Sequence, residues 1–225
     1  LNITKKVTLS FLVMALVLFS ISAVLLQSPE KKAPVINGVV IPKAKSLNQF
    51  SMIDHRNNIF NNQQLEGRWH LVSYGYTHCP DICPNTLNIL AGVVEKLESE
   101  NKADDLKVLF YSIDPKRDTV SHLAEYIPFF HKDFIGLTYV DEMQESAQAF
   151  EQSLGMISVL TPIENSDVNP VYESYTVSHG VMLYLLNPQG NLQAVFKPEK
   201  GEGGVQHFTV QKIYADYLAV RNYFG

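Results

Sequence analysis

Two of the 225 residues are cysteine, and they fall together. Cys79 and Cys83 lie in SYGYTHCPDICPNTLNILAGVVEKL (Ser73–Leu97), with Pro80, Asp81 and Ile82 between them and Pro84 directly after. Two thiols on so stiff a bracket suit a disulfide that opens and closes, or a soft metal ion such as Cu(I). A disulfide kept only for stability is the plain alternative. Over so short a loop it would contribute little, on the order of a couple of kcal/mol, and a chain of this length can build a core without it. Structural zinc would want four ligands, usually two separate Cys or His pairs, and only one pair exists. A peroxidatic cysteine needs no second thiol so close.

A metal would require a third group, and the seven histidines are the pool. His70 lies in an apolar run and reads as a satisfied core or edge residue. His55, His122, His131 and His207 fall in turn or helix contexts and are expected at the surface. His78 adjoins Cys79 and could lower its pKa, but neighbours in extended chain point to opposite faces. His179 ends a polar stretch long enough to fold back over the cysteines, just ahead of VMLYLLNP. It is the better candidate.

The elements around these residues follow from periodicity. FSMID (Phe50–Asp54) and WHLVSYGY (Trp69–Tyr76) read as strands, with turns between and around them. After the cysteines, Leu87, Leu90, Ala91, Val94 and Leu97 recur at three- and four-residue spacing, so a helix is predicted over Pro84–Glu100. Cys83 would then sit at a helix N-terminus, where unpaired N–H groups favour its thiolate. LKVLFYSID (Leu106–Asp114) is too apolar to alternate, as in a parallel strand covered on both faces. A helix over Val120–His131, a strand over Phe134–Val140 and a helix over Glu142–Gly155 complete a β-α-β-α-β-α unit. The segment from Met156 to Gly180 is expected to loop out. Two strands joined at Pro188-Gln189-Gly190-Asn191 and a helix over Val205–Tyr223 end the chain. This order predicts a thioredoxin-like α/β domain, with flavodoxin-like folds left open. Both thiols would occupy the crevice at the carboxyl end of the sheet.

Ahead of this domain, VTLSFLVMALVLFSISAVLL (Val7–Leu26) runs for about 20 residues without a charge, long enough as a helix to cross a bilayer. A cleaved signal peptide competes, but its small-x-small site is weak at Ser20-Ile-Ser22. The expected organisation is a transmembrane anchor over 1–27, a proline- and lysine-bearing tether over 28–47 and the folded domain over 48–225. With 46% hydrophobic and 18% charged residues and a net charge of -5, the chain is of globular composition. No basic run offers a surface for nucleic acid.

Three segments in this order, YGYTHCPDICPNTL, YSIDPKRDT and YTVSHGVMLYLLNPQGNL, closely resemble the Sco (SenC) family of membrane-anchored, thioredoxin-fold proteins. The family helps to assemble the copper centre of cytochrome c oxidase. The resemblance implies that Cys79, Cys83 and His179 bind one copper ion, Cu(I) or Cu(II), with Asp114 and its neighbours lining the site. The plain alternative for Asp114-Pro115 and Arg117-Asp118 is a strand-to-helix turn with a capping carboxylate. Many members carry aspartate just before the histidine, where this chain has Ser178. The resemblance further implies a copper donor protein, an acceptor such as cytochrome c oxidase subunit II, and a single-pass location in a bacterial inner membrane with the domain in the periplasm. Two functions remain: a copper chaperone, or a thiol-disulfide oxidoreductase that keeps the acceptor's cysteines reduced. His179 separates them, since a reductase has no evident need of an imidazole opposite its thiols.

Overall fold

The computed structural model describes residues 3–26, 32–162, 175–201 and 206–225. The chain divides into two units, 1–33 and 34–225. In the first, helix α1 spans Ile3–Leu26. Among the described residues no helix is long and apolar enough to cross a membrane. The stretch of α1 whose side chains are described, residues 7–22, measures about 24 Å at the usual helical rise, against a hydrocarbon core of roughly 30 Å. The expected helix is present; the expected span is not met among the described residues.

The second unit runs in the order β1 (Gly38–Lys45), β2 (Ser51–Asp54), β3 (Ile59–Asn61), β4 (Trp69–Gly75), α2 (Ile82–Ser99), β5 (Leu106–Ser112), α3 (Val120–Tyr126), β6 (Ile135–Thr138) and α4 (Gln144–Leu154). It continues with β7 (Ser158–Pro162), β8 (Tyr175–His179), β9 (Leu183–Leu186), β10 (Leu192–Phe196), β11 (Glu199–Lys200), β12 (Gln206–His207) and α5 (Val210–Phe224). One sheet has the order β1-β10-β9-β4-β5-β6-β2-β3. β4, β5 and β6 are parallel and the remaining pairs antiparallel. The β-α-β-α-β-α unit and the hairpin after it are those of the expected thioredoxin-like α/β domain.

The central strands are covered on both faces, and their side chains alternate between two cores. Trp69 and Leu71 of β4, with Val108 and Phe110 of β5, pack against Leu87, Leu90 and Val94 of α2 and Ile213 and Tyr217 of α5. Val72 and Tyr74, with Leu109 and Tyr111, pack on the opposite side against Phe150 of α4 and Met52 of β2. Continuous apolar runs are what such two-sided burial requires.

Three expectations need correction. The tether expected over 28–47 contributes β1, paired with β10 at Gly38↔Phe196, Val39↔Val195 and Val40↔Ala194. Pro42 disguised it: the register shifts between Val40 and Lys45, and an irregular edge strand is where a sheet tolerates proline. The segment 156–180, expected as loop, is paired at its two ends as the ladder β7–β8, Ser158 opposite His179 and Pro162 opposite Tyr175; the residues between, 163–174, lie outside the described ones. His55, expected at the surface, is 5% exposed, and its Nδ1 accepts the Gly136 N–H at 3.1 Å. Burial holds its pKa below the ordinary histidine value. His70, by contrast, is buried as expected.

Candidate metal centre

Helix α2 begins at Ile82, two residues earlier than periodicity suggests, and that shift decides which thiol does what. Its N-cap residue Asp81 makes no side-chain cap bond. Pro84 has no N–H to give. The Cys83 N–H instead donates to the Cys79 sulfur at 3.4 Å, so a cysteine accepts where a capping oxygen ordinarily would. The thiol of Cys83 also donates to Cys79. That bond is the largest cause of a Cys79 pKa well below the ordinary thiol range; burial opposes it, and His179 and the amides of Cys83 and Asp81 add to it. Cys83 is 4% exposed, and its bond to Cys79 together with burial drives its own pKa far up. The helix terminus therefore stabilises a thiolate, as expected, but on Cys79 and not on Cys83.

The strand behind the pair makes room for it. A Cβ at Gly75, the last residue of β4, would stand 2.5 Å from the Cys83 sulfur. Glycine lets the buried sulfur press against the sheet. The two sulfurs are free of a disulfide.

His179 arrives from the end of β8. Its Nε2 lies 3.7 Å from Cys83 Sγ, and its Nδ1 lies 2.8 Å from the Gly180 carbonyl oxygen. A carbonyl only accepts, so Nδ1 carries a proton, and Nε2 is the ring nitrogen that faces the sulfurs. The ring is flanked by Tyr74 at 5.3 Å and Tyr76 at 6.0 Å between centroids. Cys83, His179, Tyr74 and Thr86 help to line a cavity of ≈ 10 Å³, about one water-sized sphere. A thiolate, a second thiol and an imidazole form a donor set for a soft or borderline ion. The trio is not among the groups of described residues whose ligand atoms all lie within 4.8 Å of one another, so closing on an ion would draw Cys79 or the β7–β8 arm inward.

Two carboxylates from the end of β5 hold the surrounding loops. Asp114, 1% exposed, is paired with Arg117 and accepts the hydroxyl of Tyr175 on β8, the strand that ends in His179. Arg117 also lies over the Tyr175 ring at 4.3 Å and the Tyr76 ring at 5.6 Å. Asp114 thus reaches the site through Tyr175. Asp118, fully buried, accepts from Thr77 N–H at 3.0 Å, the Thr77 hydroxyl at 2.5 Å and the Ser112 hydroxyl at 2.6 Å, clamping the approach to Cys79. Burial raises its pKa against those bonds. Neither carboxylate caps α3; Thr119 does, accepting the His122 N–H.

Of the candidates named from the sequence, Cys79, Cys83 and His179 converge. His78 is exposed and contacts Thr77 (Nδ1 to Oγ1, 3.2 Å). Ser178 is exposed, one residue out of phase with His179. Gly75, Thr77 and Tyr175 were not singled out. The first is one glycine among 12, and the others act through contacts between segments far apart in the chain.

The sequence profile of the SCO1/SenC family matches residues 40–213. The chain is 37% identical over 141 residues to the mitochondrial SCO2 homolog of Bos taurus, covering 63% of this chain and 50% of that protein. It therefore spans about half the length of that relative. An SCO2-like protein of Rickettsia prowazekii is 33% identical over 200 residues, covering 87% of this chain and 90% of its own length. Among solved structures, copper-bound ScoI of Arabidopsis thaliana superposes with a TM-score of 0.64 at 30% identity, covering 79% of this chain and 99% of that one.

Proposed function

We propose, because the chain belongs to the SCO1/SenC family, that it is a copper chaperone: it takes up one copper ion on Cys79, Cys83 and His179 and yields it by ligand exchange to cytochrome c oxidase subunit II or a similar acceptor. A copper donor protein would supply the ion. The observation that carries this reading is the approach of His179 Nε2 to Cys83 Sγ at 3.7 Å, with the proton held on Nδ1 by Gly180. Thiol-disulfide exchange has no evident need of an imidazole nitrogen so close to the buried sulfur, whereas a metal site does. The presence of copper in the Arabidopsis relative supports the choice of metal. Cu(I) can rest on the two sulfurs, whereas Cu(II) gains most from the nitrogen.

Thiol-disulfide exchange is the second reading, and the depressed Cys79 pKa favours it. The Cys79 thiolate would attack a target disulfide, release one target thiol and form a mixed disulfide. Cys83 would then displace the second target thiol and leave Cys79–Cys83 oxidised. The uncharged run Val7–Leu26 supports a further part of the proposal, a single inner-membrane span with the domain in the periplasm.

Titration of the reduced full chain with copper tests the reading. One Cu(I) per chain should protect both thiols from alkylation, and one Cu(II) should give sulfur-to-copper charge-transfer absorption. His179→Ala should weaken Cu(II) binding at least about tenfold more than Cu(I) binding while the thiols still cycle. If oxidase assembly in cells then proceeds normally with His179→Ala but stops with Cys79→Ala, the reductase reading replaces the chaperone.

A further inference from the structure

Beside the thiol pair, three side chains that the chaperone reading leaves unused come together. His78 precedes Cys79, Asp118 follows β5, and His122 lies in the first turn of α3. Each offers one ligand atom within 4.8 Å of the other two. The imidazoles stack with centroids 5.7 Å apart and planes at 26°.

The hydrogen bonds around them fix the donor nitrogen of His78 and the acceptor capacity that Asp118 retains. The Thr77 hydroxyl has one proton and gives it to Asp118 Oδ1 at 2.5 Å. Its 3.2 Å contact with His78 Nδ1 then requires the ring nitrogen to be the donor, so Nε2 is the His78 nitrogen that would serve as a ligand. The carboxylate of Asp118 has about four acceptor positions, of which Thr77 and Ser112 fill three, two of them on Oδ2. One position on Oδ1 remains. A histidine whose second nitrogen is held through a hydroxyl by a carboxylate is the usual outer support of a ligating imidazole.

Two imidazoles and a carboxylate are borderline nitrogen and oxygen donors, suited to Zn(II) or Cu(II) and poorly matched to Cu(I). Such ions take nitrogen and oxygen at about 2.0–2.2 Å, so the ligand atoms must close somewhat from their present spacing. Asp118 is fixed by its buried bonds, so the closing movement falls to the exposed His78 ring and the half-buried His122 ring.

We propose that His78, Asp118 and His122 form a second metal site, for a divalent borderline ion, adjoining but chemically distinct from the thiol pair. It requires no ion on Cys79, Cys83 and His179.

The test uses the full chain carrying Cys79→Ser and Cys83→Ser, titrated with zinc chloride by calorimetry and with Cu(II) by electron paramagnetic resonance. One Zn(II) should bind per chain. The Cu(II) signal should show nitrogen couplings with no sulfur-to-copper absorption. Adding His122→Ala or, separately, His78→Ala should weaken Zn(II) at least tenfold without altering the thermal midpoint of the metal-free chain. Glu98→Gln, at the acidic group Glu98–His131–Asp133, should leave it unchanged. No Zn(II) bound by the double-serine chain, or binding indifferent to both histidine substitutions, overturns the proposal. Neither result touches the chaperone reading, which is measured on the intact thiols.

Discussion

Cys79 and Cys83 are chemically unlike because their surroundings differ, not because of their order in the motif. The less buried sulfur collects an N–H and an S–H, whereas the buried one gives its proton away and lies against the backbone at Gly75. Cys83→Ala removes the largest support of the Cys79 thiolate, so the charged form is disfavoured and the Cys79 pKa should climb by more than about one unit toward the ordinary thiol value. Thiolate absorbance against pH reads this directly; an unmoved midpoint would show that the amides alone suffice. Ser178 illustrates the opposite case. Along β8 it is exposed while His179 turns inward, and the Gly180 carbonyl already holds Nδ1. Ser178→Asp should therefore change Cu(II) affinity less than about threefold, a shift under ~0.7 kcal/mol; a tenfold tightening in equilibrium dialysis would show that an acid here reaches the imidazole after all. The two cysteines and His179 were legible in the sequence from residue type and order. The division of labour between the thiols was not, because it depends on α2 starting at Ile82 and on a glycine behind the sulfur.

At the scale of elements, the site is an arm closed over a strand end. His179 rides on β8, which lies outside the main sheet and pairs only with β7 among the described strands. It is tied to the parallel core by the Tyr175 hydroxyl on Asp114, with Arg117 against the same ring, and by Tyr74 of β4, which hydrogen-bonds the backbone at Ile157 and Gly180. Hydrogen bonds to charged groups contribute about 1.5–3 kcal/mol. Tyr175→Phe should accordingly raise the Cu(II) dissociation rate about tenfold, speed amide exchange in Tyr175–His179, and leave the redox cycling of Cys79 and Cys83 unchanged. Unchanged exchange in that strand would show that β7 and Tyr74 position the histidine without Tyr175. The arm could not be read from the sequence: each of its strands has five residues, and they flank a polar stretch. β1 was hidden by Pro42. The central strands and α2 were legible because their apolar residues number enough to show a period and are buried as that period requires.

Across the whole molecule, a sheet covered on both faces buries whatever its central strands carry, and β4 carries His70. The side chain is 2% exposed, and its Nδ1 donates to the Arg68 carbonyl at 3.1 Å. Burial is the main reason its pKa falls to about 4; the Arg68 carbonyl opposes this, and the charges of Arg68 and Lys107 add to it. On acidification the unfolded chain protonates this histidine first, near pH 6.5. Stability is therefore complete above that value and is lost as the pH falls from about 6.5 to 4, by about 3 kcal/mol in all and about 2 kcal/mol between pH 7 and 5. His55, also buried with a lowered pKa, adds loss of the same sign. Urea unfolding at pH 7 and pH 5 should show this decline, and His70→Leu, whatever its stability at pH 7, should make the decline shallower by about 2 kcal/mol. An equal decline in the variant would mean that His70 is protonated without penalty inside the fold, and that the sheet admits water at its centre.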